Sequence, residues 1–259
     1  MSSPTRASPD DWDSHWHNYA HAAGQNPAQG MRHNLIAKLL RGDTGNPAAL
    51  RVFDVGSGQG DLLRKLAQVL PGARLLGAEL SESGVAVSRQ KVPQATFLVA
   101  NIFEPPPALD EYVGWATHAV CSEVLEHVDE PVAFLERAGN YLAPGAQLIV
   151  TVPGGPMSEF DRNIGHRQHF DRRKIKAMLE QAGYLVERIY LAGFPFFNMY
   201  RLLVIARGKR LAGDVRTESG GFSSRMASYA MKLFRLLFRA NMLNSPLGWQ
   251  IIAVARRAS

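Results

Sequence analysis

The sequence predicts an α/β fold whose open, mostly parallel sheet is covered by helices on both faces. Three observations predict it. Short apolar runs alternate with amphipathic runs of helical length. Gly72, Gly145 and Gly183 stand where helices give way to strands, the usual place of a left-handed cap. A glycine-rich loop follows the first apolar run in "RVFDVGSGQGDLL".

Asn26 to Leu40 reads as a helix because Met31, Leu35, Ile36, Leu39 and Leu40 share one face. Then come "RVFDV" (strand), "QGDLLRKLAQVL" (helix), "ARLLGAEL" (strand) and "SESGVAVSRQK" (helix, with Ser81 as its N-cap). "ATFLVAN" and "ATHAVCS" are strands, "EPVAFLERAGNYL" a helix and "AQLIVTV" a strand. "DRRKIKAMLEQAG" reads as a helix, and "YLVERIYLAG" and "GWQIIAVARR" as the last two strands. Seven strands in this order predict a Rossmann-like sheet. Four regions result: an N-terminal helical cap (1–45), a ligand-binding core (46–192), a helical insertion (193–247) and the last strand with its tail (248–259).

Composition narrows the function classes. A chain of 259 residues that is 46% hydrophobic can bury one sizeable core. The single cysteine, Cys121, excludes an intramolecular disulfide framework and fits a reducing compartment. No apolar stretch reaches the ~18 residues of a membrane span. The N-terminus lacks the charged-then-apolar order of a signal peptide, so a cytoplasmic protein is expected. Residues 201–259 hold 11 Lys and Arg against Asp214 and Glu218, whereas the rest of the chain is slightly acidic. Such a tail suits an anionic partner, or is a solvated helix face.

The glycine loop narrows the ligand class, and the rest of the chain must decide it. No Lys-Ser/Thr pair follows it, which excludes a P-loop. A dinucleotide fingerprint starting at Gly56 would need its third glycine at position 61, which is Asp61; Gly60 comes one residue early. Asp54 precedes the loop, where an acid repels a pyrophosphate but suits an ammonium group.

"VFDVGSGQGDLL" resembles the cofactor loop of class I S-adenosylmethionine-dependent methyltransferases, and three further stretches extend the likeness. Glu79 ends the second strand, where an acid accepts both ribose hydroxyls. "FLVANIFE" puts Asn101 and Ile102 at the end of the third strand, with Asn101 where the family usually has Asp for the adenine amino group. "CSEVLEHVDEP" is similar to the Glu-x-x-Glu-His segment of methyltransferases that include the ubiquinone-biosynthesis enzymes. The likeness covers about residues 50–155. It implies S-adenosylmethionine held by Asp54, Gly56, Ser57, Gly58, Gly60, Glu79, Leu80, Asn101, Ile102, Ser122 and Glu123. Tyr19 and Arg32 of the cap are candidates to touch its methionyl end.

Methyl transfer from a sulfonium is an in-line displacement, and a hydroxyl acceptor must also lose a proton. The candidate carriers of that proton are His166 and His169 in "GHRQHF", and His127. Glu123, Glu126 and His127 at i, i+3 and i+4 would project from one face of a helical turn, with His169 nearby. That set suits a divalent ion such as Mg²⁺ or Mn²⁺, and comparable groups bind metal in the family members it resembles. Where no metal binds, Glu126 and His127 shape the pocket through backbone hydrogen bonds, and His166 or His169 ranks first as general base, with His127 third.

The insertion supplies Phe194, Phe196, Phe197 and Tyr200, which either line a hydrophobic substrate pocket or pack the insertion on the sheet. "MKLFRLLFRANML" mixes Leu233, Phe234, Leu236 and Leu237 with Lys232, Arg235 and Arg239. It resembles a membrane-surface helix, giving 194–243 as a peripheral contact, and equally a helix packed on a domain. The expected function is O-methylation of a hydrophobic small molecule. N- or C-methylation of a natural product is the alternative. RNA ranks below both because no aromatic-basic RNA-binding strand is present.

Overall fold

The computed structural model describes residue 13 and residues 26–43, 46–216 and 222–258, without the side chains of 207–228. Its elements follow the apolar rhythm. Helix α1 (Pro27–Asp43) precedes β1 (Arg51–Val55), α2 (Asp61–Val69), β2 (Arg74–Glu79), α3 (Glu82–Lys91) and β3 (Thr96–Val99). Then come β4 (Ala116–Ser122), α4 (Pro131–Gly139), β5 (Leu142–Pro153), the short α5 (Glu159–Asn163), α6 (Arg172–Gln181) and β6 (Tyr184–Ala192). Helices α7 (Phe196–Arg216) and α8 (Phe222–Leu237) form the insertion before β7 (Gln250–Arg257).

The seven strands make one sheet in the order β3-β2-β1-β4-β5-β7-β6. All neighbours are parallel except β7, which runs antiparallel to both β5 and β6. Successive strands step outward from β1 on one side and from β4 on the other. The crevice at the carboxyl ends of β1 and β4 is therefore the switch point where such sheets bind ligands.

The strands read as nearly continuous apolar runs because both faces are covered. Phe53 and Val55 point into a core shared with α4 and α6, whereas Val52 joins the core beneath α1, α2 and α3. Local caps agree with the sequence. The Ser81 hydroxyl accepts from the Gly84 amide at 2.9 Å and starts α3, as a serine N-cap should.

Two local features depart from the sequence expectation, and a third chooses between its alternatives. Strand β3 stops at Val99, and Asn101 lies beyond it in an isolated bridge to Glu104. The segment after β4 is a 3-10 turn confined to Leu125–His127, and Glu123 stands outside it at φ 58°. Glu123, Glu126 and His127 therefore do not share one helical face. The aromatic run of the insertion is used for packing: Phe197 and Phe238 are buried with Ala28 and Met31, and Phe196, Tyr200 and Phe234 lean on them.

Candidate active site

The glycine loop leaves β1 in a conformation that needs glycine. Gly56, Gly58 and Gly60 all have positive φ, at 77°, 54° and 73°. A Cβ at Gly56 would lie 2.5 Å from Val124 Cγ2, so the loop also passes close under the segment after β4. Asp54 is 2% exposed beneath this loop. Burial, and then the charge of Glu79, push its pKa up to about 8. Ser57 in the loop is buried as well.

Glu79 ends β2 and faces back toward the loop. Its Oε2 accepts from the Gly58 amide at 2.7 Å and its Oε1 from the Ser81 amide at 3.1 Å. Both oxygens are oriented by backbone. Leu80 beside it is half exposed. Ile102 is buried, and Asn101 Oδ1 accepts from the Phe103 amide at 3.0 Å.

The end of β4 carries a second polar group. The Ser122 and Thr151 hydroxyls lie 2.8 Å apart. Glu123 Oε1 accepts from Thr151 Oγ1 at 3.1 Å and from Gln250 Nε2 at 3.0 Å. Arg32 Nη1 reaches from α1 to within 3.5 Å of Glu123 Oε2. Glu123 is also the sole non-glycine residue at positive φ among the described residues. Strain of that kind persists where surroundings over-determine it, and it clusters at ligand sites. Arg32 thus comes to the site as the partner of Glu123. Tyr19 lies outside the described residues.

A third group sits beyond it. Ligand atoms of Glu126, His127 and His166 lie within 4.8 Å of one another, and so do those of Asp161, His166 and His169. Glu123 joins neither set. Glu126 is 0% exposed, and neither of its carboxylate oxygens has a hydrogen-bond partner among the described residues. Burial, and then the charge of Glu123, hold its pKa well above the usual carboxylate range.

The histidine tautomers follow from the partners. His169 Nδ1 lies 3.1 Å from the Gly155 carbonyl, which can only accept, so Nδ1 carries the proton and Nε2 the lone pair. His166 Nδ1 lies 3.2 Å from that Nε2 and must donate to it. The lone pair of neutral His166 is therefore on Nε2. Burial, and then the charge of His127, bring the His166 pKa down to about 3, which keeps the ring neutral.

Asp161 stands behind the two rings. It is 0% exposed, and its oxygens stand 4.0 Å from His166 and 3.9 Å from His169. Arg201 of α7 grips it through two bonds of 2.9 Å, and Ser158 closes a capping box on it. Burial alone would raise its pKa; the arginine and the Ser158 bonds outweigh that and hold it at about 2. The sequence reading missed Asp161, Arg201, Thr151 and Gln250. "SEFD" carried a signal, since Ser-x-x-Asp is a capping-box spacing.

The buried acid has a stability signature. Because the folded-state pKa of Asp54 exceeds its unfolded value, the folded chain holds more protons between pH 4 and pH 8. Stability from this group falls as pH rises through that window, by up to about 1.4 kcal/mol per unit. In the ligand-free protein the melting temperature of Asp54→Asn is expected to gain on the wild type from pH 4 to pH 8. Parallel melting curves across that range would count against a buried neutral Asp54.

A family model described as "Methyltransferase domain" matches residues 27–189. Trans-aconitate 2-methyltransferase of Delftia acidovorans is 34% identical over 157 residues, covering 60% of this chain and 55% of that protein. Ubiquinone biosynthesis O-methyltransferase of Ruegeria pomeroyi is 30% identical over 112 residues, covering 43% of this chain and 44% of its own. The chain thus spans about half the length of the curated relatives it matches. Among solved structures, phosphoethanolamine N-methyltransferase 2 of Haemonchus contortus, in complex with phosphomonomethylethanolamine and S-adenosylhomocysteine, superposes with a TM-score of 0.62. It shares 19% identity, and the match covers 99% of this chain and 59% of that one. With the glycine loop at the β1–β4 switch point and a family model spanning most of its length, the chain belongs to the methyltransferase domain family, on the class I S-adenosylmethionine-dependent fold.

Proposed function

We propose that the chain transfers the methyl group of S-adenosylmethionine to an oxygen of a hydrophobic small molecule, with a divalent metal at the acceptor end. The observation that carries the metal is Glu126: a buried carboxyl group whose oxygens lack donors, next to His127 and His166. Leaving such a group unsatisfied costs about 1–3 kcal/mol or more, and a cation removes that cost. Two carboxylate oxygens and imidazole nitrogens suit Mn²⁺ or Mg²⁺. When bound, such an ion lowers the pKa of a coordinated hydroxyl.

The chain's own residues do the rest. In this reading Glu126, His127 and His166 are the ligands, with His166 presenting Nε2. A ring with a pKa of about 3 is a weak base but a ready ligand, because it is neutral at working pH. His169 orients His166, whose amide donates to the Asp161 carbonyl at 2.9 Å. Glu123 is tied to Arg32, Thr151 and Gln250. In the transfer the carbon–sulfur bond breaks as the carbon–oxygen bond forms, leaving S-adenosylhomocysteine, and the acceptor's proton passes to water. The sulfonium is already an activated leaving group, so positioning in a dry site is the main demand. Oxygen is preferred over nitrogen or carbon because a hydroxyl gains most from a charged ligand set. The Glu-x-x-Glu-His segment supports the ubiquinone-pathway type of site.

Calorimetry tests the cofactor half of this reading. Asp54 is mostly protonated at pH 7 in the free protein, and the ammonium group of the ligand would ionise it. Uptake of S-adenosylhomocysteine at pH 7 is expected to release close to one proton, seen as a heat that varies with the ionisation enthalpy of the buffer. Tight uptake of NAD or FAD with indifference to S-adenosylhomocysteine would overturn the assignment. A heat of S-adenosylhomocysteine binding that is the same in every buffer would remove Asp54 from the ammonium site.

A further inference from the structure

Helices α7 and α8 each carry more apolar surface than the core uses. On α7, Phe197 and Val204 are buried, whereas Met199, Leu202 and Leu203 on the other side are 49%, 52% and 53% exposed. On α8, Phe234 leans inward on Phe238. Tyr229, Leu233 and Leu236, at i, i+4 and i+7, are 68%, 54% and 59% exposed. The two helices are held together on their inner sides, where the Tyr200 ring meets Phe234 and Phe238 at 5.4 and 5.8 Å. The exposed stripes are thus set by the packing itself. Rotating either helix to hide them would expose the aromatic inner face.

Along α8 the sequence carries cations and no acid. Lys232, Arg235 and Arg239 alternate with the exposed leucines, and Lys232 Nζ sits 5.7 Å over the Tyr229 ring. From Ser219 to Ser259 the chain has six Lys and Arg and no acid. We propose that this helix pair docks on the anionic surface of a lipid bilayer, its leucines entering the headgroup boundary and its cations pairing with lipid phosphates. An apolar stripe interleaved with cations, as on α8, is what an interfacial helix needs. Among the described residues no helix is long and apolar enough to cross a membrane, so the contact is peripheral.

Charge argues against the other occupants. A second copy placed by two-fold symmetry on this face would bring Lys232, Arg235 and Arg239 against their own equivalents. An RNA backbone would answer the cations but leave the leucines facing phosphates. Only a bilayer answers both. The docking surface stands apart from the methyl-transfer reading, although α7 joins the two: Arg201, on the same helix as the Met199–Leu203 stripe, clamps Asp161 behind the histidines.

The test is co-sedimentation of the full chain with vesicles of phosphatidylcholine alone and of phosphatidylcholine mixed with phosphatidylglycerol. Retention on the anionic vesicles is expected, with little on the neutral ones, and it should fall as salt rises. The double variant Leu233→Ser/Leu236→Ser is expected to weaken partitioning by about tenfold or more. Lys232→Gln and Arg239→Gln should weaken it by about fivefold each. All of these lie outside the cofactor pocket, so S-adenosylhomocysteine affinity should be unchanged, which also reports folding. If the leucine variant fails to fold, the two charge variants carry the test. Equal retention on neutral and anionic vesicles, or no retention, would overturn the proposal. So would a dimer in light scattering that Leu233→Ser dissolves, or salt-sensitive RNA binding without vesicle binding.

Discussion

Replacing Glu79 by Ala is expected to lower the affinity for S-adenosylhomocysteine by at least about a hundredfold. The side chain is 7% exposed and already fixed by the Gly58 and Ser81 amides, so it meets a ribose without being ordered first. A charge-assisted hydrogen bond is worth about 1.5–3 kcal/mol, and two ribose hydroxyls donate to this carboxylate in the proposed mode. The substitution also leaves the Gly58 amide without its acceptor, in a loop whose φ values depend on three glycines. A second readout separates ligand loss from general loosening. Glu79 helps to raise the Asp54 pKa, so its removal should reduce the proton released on ligand binding at pH 7. Isothermal calorimetry in two buffers measures both. An affinity within about threefold of wild type would place the ribose elsewhere and with it the whole pocket.

The glycine loop and the strand ends beside it were legible because their signals are local. Gly56, Gly58 and Gly60 are demanded by backbone conformation, and Asp54 and Glu79 fall at strand ends that apolar periodicity already marks. Strand β4 was readable to the residue, from Ala116 to Ser122, because both its faces are buried. The rest of the site is non-local. Gln250 reaches Glu123 across 127 residues and Arg201 reaches Asp161 across 40, and no spacing rule joins them. The segment after β4 misled for a different reason. Positions i, i+3 and i+4 share a face only where the chain is α-helical from the first of them, and Glu123 instead takes a left-handed conformation. Glu123 and Glu126 therefore part: one enters a hydrogen-bonded network and the other a buried pocket with His127 and His166. The aromatic run at 194–200 was ambiguous in principle, since a ring that lines a pocket and a ring that packs a helix have the same sequence. Tertiary contacts resolved it for Phe197, which is buried against Phe238.

Glu126 gives the largest expected effect, and it runs in opposite directions for stability and for activity. In Glu126→Leu the melting temperature of the metal-free protein is expected to rise by several degrees. Removing a buried, undonated carboxyl group relieves about 1–3 kcal/mol, and each kcal/mol moves the midpoint of a domain this size by about 2–4 °C. The same variant is expected to lose Mn²⁺ binding, followed by electron paramagnetic resonance, and at least about a hundredfold in methyl transfer. Its affinity for S-adenosylhomocysteine should hold, because Glu126 lies outside the Asp54–Glu79 pocket. EDTA should silence the wild type and added Mn²⁺ or Mg²⁺ restore it, while neither changes the variant. A structural role for Glu126 predicts the reverse order: a lower melting temperature, with turnover falling only as the fold does. A group retained at a cost to the fold is one that chemistry requires. Full activity in EDTA, or a Glu126→Leu protein that melts lower and binds Mn²⁺ as the wild type does, would leave the carboxylate without that role and the histidines beside it as pocket walls.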